Sequence, residues 1–133
     1  MVVVSIIPLS SAVNEAIRLT APDGRDTARE WIERNLPSGA RIVIESYSPY
    51  IDPERFAIRS FYRANGEPPE WYVAQGFDYL VVSQQMFHRF YADPAQFSDD
   101  IAHYEALFRA FEMVKAFTDG GYEVRIYRIP RGM

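Results

Sequence analysis

Residues 79–91 read YLVVSQQMFHRFY: an apolar strand pattern that passes into a helix with Ser83 at the join. YLVVS does not alternate, which is the mark of a strand covered on both faces, and such strands belong to parallel sheets layered by helices. The helix pattern after it turns Met86, Phe87, Phe90 and Tyr91 to one side. In open α/β sheets the strand-to-helix join at the carboxyl end is where ligands bind, so this stretch fixes the fold class and raises the question of a site. The competing reading of Ser83 is a helix N-cap, its hydroxyl oxygen accepting from a free backbone N–H of the first turn.

The same alternation of elements runs outward from it. Upstream, RIVIE (41–45) is a second strand, with a helix before it in which Ala28, Trp31, Ile32 and Leu36 share a face. Thr27 and Glu30 have the spacing of a capping box, and Pro37 and Gly39 end the helix. Residues 11–20 carry a further short amphipathic pattern, broken by Pro22 and Gly24. Downstream, Ser98 is expected to cap a helix whose core stripe is Ile101, Tyr104, Leu107, Phe108 and Phe111, with Asp99 and Asp100 at its positive end. The chain then reads as two strands joined by Asp119-Gly120-Gly121, a hairpin signal. Between residues 46 and 76 four prolines and seven aromatic rings obscure the pattern, and the expectation is a short helix over Pro53–Ala64 followed by an irregular loop. The fold class is therefore α/β: a small three-layer-like domain with a parallel strand pair, flanking helices and a C-terminal β-hairpin that adds antiparallel edges.

Composition narrows the function classes. A net charge of −4 over 133 residues argues against a nucleic-acid partner, which would need a basic face to neutralise phosphates. The chain has no cysteine, so disulfides and thiolate metal sites are excluded. His88 and His103 fall on different helices without a ligand at metal spacing, so no metal site is expected. No glycine-rich phosphate loop follows either strand, no G-x-S-x-G elbow occurs, and no cofactor is implied. Asp99 and Asp100 read as dipole partners of a helix rather than as a catalytic carboxylate pair. No catalytic residue is assigned. The candidate ligand contacts are Glu45 and Ser83, which close the two parallel strands, with Tyr47, Tyr50, Arg55 and Arg59 from the aromatic stretch. Rings interleaved with arginines suit a sugar or a lipid headgroup, although the same rings would serve as core. The segment 46–71 leaves the first strand on the crevice side, and it is expected to lie over the carboxyl ends of both strands as the functional surface.

Four strings taken in order, DTAREWIERNLPSGARIVIESYSP, GFDYLVVSQQMFHRFYADP, YEALFRAFEMVKAF and EVRIYRIP, resemble the C-terminal extracytoplasmic domain of bacterial multi-spanning glycosyltransferases of the dolichyl-phosphate-mannose protein mannosyltransferase-like kind. The resemblance covers roughly residues 25–130 and is carried by segments, not by a catalytic motif. It implies a parent in the bacterial cell membrane that transfers a sugar from a polyprenyl-phosphate donor. The partners it implies are the membrane-spanning part of the same protein and a phosphosugar or acceptor. That family's catalytic acids lie near the start of its membrane region, so none is carried onto this chain. On this reading residues 1–24 are an N-terminal arm and 25–133 one α/β domain, and the apolar start MVVVSIIPL is the tail of a preceding membrane helix, being far shorter than the roughly 20 residues a span needs. It has neither the basic region nor the cleavage site of a signal peptide. Two alternatives stand beside it: a free-standing small enzyme or ligand-binding domain with a crevice at Glu45 and Ser83, with His88 as a further candidate, and a protein-interaction module that uses the aromatic 46–72 segment.

Overall fold

The computed structural model describes residues 24–118 and 121–132. The short helical pattern at 11–20, the apolar start and the Asp119-Gly120 part of the hairpin turn lie outside the described residues. The described chain is an α/β domain built on one mixed open sheet of five strands in the order β2-β1-β3-β5-β4. In chain order the elements are α1 (Gly24–Asn35), β1 (Arg41–Glu45), β2 (Ala57–Phe61), a single 3₁₀ turn (Ala64–Gly66), α2 (Pro69–Ala74), β3 (Tyr79–Ser83), α3 (Gln84–Tyr91), α4 (Ser98–Ala110), β4 (Glu112–Phe117) and β5 (Val124–Arg128). β1 pairs in parallel with both β2 and β3, whereas β5 runs antiparallel to β3 and to β4.

The two sides of the sheet follow from the two-residue period of the strands. Val43, Leu80, Val82 and Tyr127 pack under Tyr72 of α2, Phe87 and Phe90 of α3 and Tyr104 and Leu107 of α4. Ile42, Val81, Val124 and Ile126 pack against Ala28 and Ile32 of α1, against Leu36 just after it, and against Ile51 and Phe56 of the β1–β2 connection. Leu80, Val81 and Val82 are all fully buried, as the unalternating run predicts. Each such side chain contributes about 1.5–3 kcal/mol through the area it removes from water. The helix face predicted for α1 also holds in outline, but Trp31 is half-buried and meets Phe117 edge-on at 6.4 Å. Phe108 is likewise half-buried, with its ring stacked on Tyr127 at 5.3 Å.

The structure corrects the 46–76 reading. The helix expected over Pro53–Ala64 is a strand, β2, entered from a single turn. Asp52 makes that turn: its side chain accepts from the Glu54 N–H and its carbonyl from the N–H groups of Arg55 and Phe56. The helical signal at Pro53 is therefore real for one turn, after which the backbone groups of 57–61 pair with β1 instead, from Arg41↔Ala57 to Glu45↔Phe61. An edge strand shows little periodicity because little of it is buried. The expected loop after it holds α2, with Pro69 at its first position, where a missing N–H costs nothing. Gly76 ends that region at φ +78°, and a Cβ there would stand 2.9 Å from Nη1 of Arg41. The two caps expected from Thr27 and Ser98 are displaced. α1 is already helical at Gly24, and α4 follows Phe97, with no side-chain cap bond and Ser98 as its first residue. Of the terminal hairpin only β4 is an edge; β5 lies between β3 and β4, which is why Val124, Ile126 and Tyr127 are buried.

Candidate functional site

Parallel neighbours whose chains leave by opposite faces open a crevice at their carboxyl ends. β1 and β3 are such a pair. The chain after β1 runs to the α1 side, where Ile51 and Phe56 are buried, and the chain after β3 runs into α3 on the other side. Glu45 and Ser83 meet in this crevice, as their strand-end positions predict, but with a chemistry that closes it. The Glu45 carboxylate is 2% exposed. Its Oε2 accepts from the Ala64 N–H at 2.8 Å and from the Tyr104 hydroxyl at 2.8 Å, and its Oε1 accepts from the Ser83 N–H at 3.1 Å. One side chain thereby ties β1 to the 3₁₀ turn, to α4 and to the β3–α3 junction. Tyr72 completes the cluster by donating to the Ala64 carbonyl at 2.6 Å.

Burial lifts the Glu45 carboxyl from the ordinary 4.5 to about 7, against the hydrogen bonds from Ala64, Tyr104 and Ser83, which favour its charged form. The phenols of Tyr72 and Tyr104 are held well above the usual tyrosine range, first by burial and then by the neighbouring Glu45 charge, so both stay protonated as donors. Ser83 is 1% exposed and its Oγ accepts from the Gln85 N–H at 3.2 Å, the N-cap arrangement weighed from the sequence. The N–H groups around the start of α3 are thus taken within the fold: that of Ser83 by Glu45, that of Gln84 by the Glu123 carbonyl and that of Gln85 by Ser83.

Above this buried cluster the same end of the sheet is open. Tyr47 follows β1 and Tyr62 follows β2. They are brought side by side because the Ser46 N–H donates to the Tyr62 carbonyl at 3.3 Å, extending the β1–β2 ladder by one bond. Arg89 on α3 comes to the same end, its Nε donating to the Met86 carbonyl at 3.1 Å. The neighbouring Tyr47 phenol, first, and that of Tyr62 hold the guanidinium above its already high range. Tyr47 stands at φ +70°, an uncommon conformation for a bulky side chain, and is 42% exposed; Tyr50 and Tyr62 are 73% and 67% exposed. Tyr122, just before β5, lies at this end too, with its ring 5.1 Å from that of His88.

The remaining sequence candidates part company. Arg55 is corrected to the opposite end of the sheet: its carbonyl accepts from Gly39 at the entry to β1, and its guanidinium lies over Phe56 at 5.1 Å. Arg59 is on the edge strand β2, exposed, with its guanidinium 5.3 Å over Phe61. The segment 46–71 therefore does not lie as one surface over the strand ends; it touches that end at 46–48 and again at 62–66 and spends the rest as crossover, strand and helix. Its rings divide in the same way, since Phe56 is buried and Trp71 is packed against Phe61, Tyr72 and Phe77. His88 bonds through Nδ1 with the Gln84 carbonyl, and His103, on α4, borders a cleft of about 300 Å³ beside Asn65, Pro68 and Pro69. Among the described residues no group of three His, Cys, Asp or Glu side chains could hold a metal ion.

Sequence reasoning missed Arg89, Tyr62, Tyr72 and Tyr104. The last three could not be found from spacing, because each comes to the site from an element distant in sequence. Arg89 carried one signal, its position six residues past Ser83 on the helix that leaves the crevice.

Compared with protein-family models, with curated proteins and with solved structures, the chain matches none. Its class rests on the fold itself: an α/β domain with a switch-point crevice that its own carboxylate fills. Among the described residues no helix is long and apolar enough to cross a membrane.

Proposed function

We propose that this chain is a non-catalytic extracytoplasmic domain of a bacterial membrane glycosyltransferase that takes its sugar from a polyprenyl-phosphate donor, and that it assists binding rather than the transfer itself. The observation that carries the non-catalytic half is the closed crevice. Both carboxylate oxygens of Glu45 are engaged by the fold's own donors, and Ser83 Oγ is engaged by the helix it caps. A general acid or base must reach a substrate proton within hydrogen-bond distance, and this carboxyl group is sealed beneath α4. The free-standing enzyme is therefore the weaker reading, even with a carboxyl pKa near neutrality.

The membrane-parent half rests on the segment resemblance over residues 25–130. The end of α1 at Asn35 lies beside Tyr79 and Arg128, at the amino end of β3, whereas Trp31 reaches toward Phe117, whose partner Val124 pairs with Ser83. The helix therefore starts at the end of the sheet that bears Tyr47, Tyr62 and Arg89.

The test is sugar transfer from a polyprenyl-phosphate donor by the intact parent protein in vesicles, beside the purified chain under the same conditions. The expected result is transfer by the parent and none by the chain. Turnover by the chain alone, abolished by Glu45→Gln with the fold retained, would overturn the non-catalytic reading. A native reading frame without membrane spans would overturn the parent.

A further inference from the structure

Two buried side-chain atoms have no hydrogen-bond partner among the described residues, Nε of Arg55 and Oδ1 of Asn65. The first belongs to a guanidinium with further N–H donors, whereas the second is the only acceptor its side chain has. Asn65 lies in the 3₁₀ turn and is 3% exposed. Its amide nitrogen donates twice to Asp100 of α4, to the backbone carbonyl and to Oδ1, both at 3.1 Å. Both of those groups are acceptors, so the amide cannot be turned round, and its oxygen is held on the side away from them. A buried carbonyl without a donor costs the fold its desolvation, so such an atom in a native structure marks a bound water or a ligand.

Asn65 is also a wall of the cleft of about 300 Å³ between the 3₁₀ turn, the start of α2 and α4. The chain shapes that cleft by itself. Glu67 and Pro68 each precede a proline, which disfavours the helical region, and both are extended, at ψ 148° and 163°. Pro69 then begins α2 and is buried. The opposite wall is His103 and Ala106, three residues apart on one face of α4. The cleft therefore has apolar sides in Pro68, Pro69 and Ala106 and polar side chains in Asn65, Glu67 and His103. Its volume stands at the small end of ligand pockets, which run from roughly 300 to 1,000 Å³.

We infer that this cleft is a binding site for a small organic cation, a primary ammonium group on an apolar body. Its polar side chains offer acceptors: the Asn65 oxygen, the Glu67 carboxylate, which is acceptor-only when ionised, and one nitrogen of the neutral His103 ring. An ammonium carries three N–H donors and the charge opposite to that of Glu67, so it serves more than one of these acceptors at once. A neutral hydroxyl has a single donor, and a carboxylate ligand has none and sets like charges together. The proline and alanine sides take the apolar body. The inference uses only this cleft and stands whether or not the membrane parent is right.

The experiment uses the whole chain, residues 1–133, labelled with nitrogen-15 and titrated near neutral pH with cyclohexylammonium. Cyclohexanol and cyclohexanecarboxylate, the same ring with other head groups, are the controls. The expected result is saturable movement of the Asn65 side-chain amide and of the Gly66, Glu67 and His103 backbone signals with the ammonium. Its binding should be at least about tenfold tighter than that of the alcohol, and the carboxylate should not saturate. Glu67→Gln should weaken the ammonium by about tenfold and leave the alcohol unchanged, a split that a merely structural role would not produce. Asn65→Ala should remove ammonium binding. That variant also loses the anchor on Asp100, so its unfolding midpoint is measured beside it, and Glu67→Gln decides the question if it does not fold. No saturable binding of the ammonium would mean that water alone serves the Asn65 oxygen, and the inference is overturned. Equal binding of the three ring compounds, or ammonium binding unchanged in Glu67→Gln, overturns it as well.

Discussion

Two regions of this protein lie at one end of one sheet and obey opposite rules. In the crevice between β1 and β3 every polar group of Glu45 is matched by an internal donor, and water is shut out. Immediately outside it, Tyr47, Tyr62 and Arg89 face solvent. The contrast teaches that the carboxyl end of a parallel sheet is an opportunity for a site, not a guarantee of one. Here the fold uses the inner half of that opportunity for its own cohesion and leaves the outer half free.

Substitutions should separate the two regions by size of effect. The largest should come from Tyr104, fully buried, whose ring packs with Phe87, Phe90 and Phe108 and whose hydroxyl serves Glu45. Tyr104→Ala should lower stability by about 3–5 kcal/mol in urea unfolding, from lost transfer energy and the cavity left behind. A small loss would mean that the crevice is not sealed by α4.

Next comes pH. The folded chain holds the Glu45 proton up to about pH 7, whereas an ordinary carboxyl at 4.5 has released it. Between those values the folded state binds more protons than the unfolded one. The stability contributed by this residue is therefore full below pH 4.5, falls as the pH rises, and is gone above pH 7. Its size is on the order of 3 kcal/mol at 1.36 kcal/mol per pH unit. Glu45→Gln should abolish this slope. The amide also sets a donor among three donors, so the variant is less stable at any pH, and the difference between the two pH profiles is the measurement. Parallel profiles would show that the carboxyl is not lifted and that the region is open.

Trp31→Ala and Phe108→Ala should each cost about 2 kcal/mol, below the range for fully buried aromatics, since both rings are only half covered. Thermal midpoints close to the parent's would show that the half-buried faces do not contribute.

The smallest stability effects belong to the rim. Tyr62→Ala and Arg89→Ala should change stability by no more than about 0.5 kcal/mol, as for exposed positions elsewhere. Tyr47→Asn should be neutral or mildly stabilising, because asparagine tolerates the left-handed backbone that tyrosine is forced into. A large loss in any of the three would mean that the rim is structural like the crevice, and the contrast between the regions would fail.

What the sequence determined by itself was local. The apolar run Leu80–Val82 required a strand covered on both faces, the 3.6-residue spacing of Ala28, Ile32 and Leu36 required a helix with one buried face, and Ser83 was positioned to cap what followed it. These are consequences of neighbours along the chain, and each holds in the structure. What tertiary structure alone decided was non-local. Residues 57–61 became a strand because β1 offered unpaired backbone groups, against a helical signal that lasted only one turn at Asp52. Arg55 went to the far end of the sheet because the crossover had to return to the starting side of a parallel pair. Glu45 became a buried anchor instead of a solvated strand end because Ala64, Ser83 and Tyr104, from three separate elements, converge on it with donors. Pattern within a strand shows which face a carboxylate takes. Only the assembled layers determine whether water or a hydroxyl meets it there, because that depends on groups as far away in sequence as Tyr104.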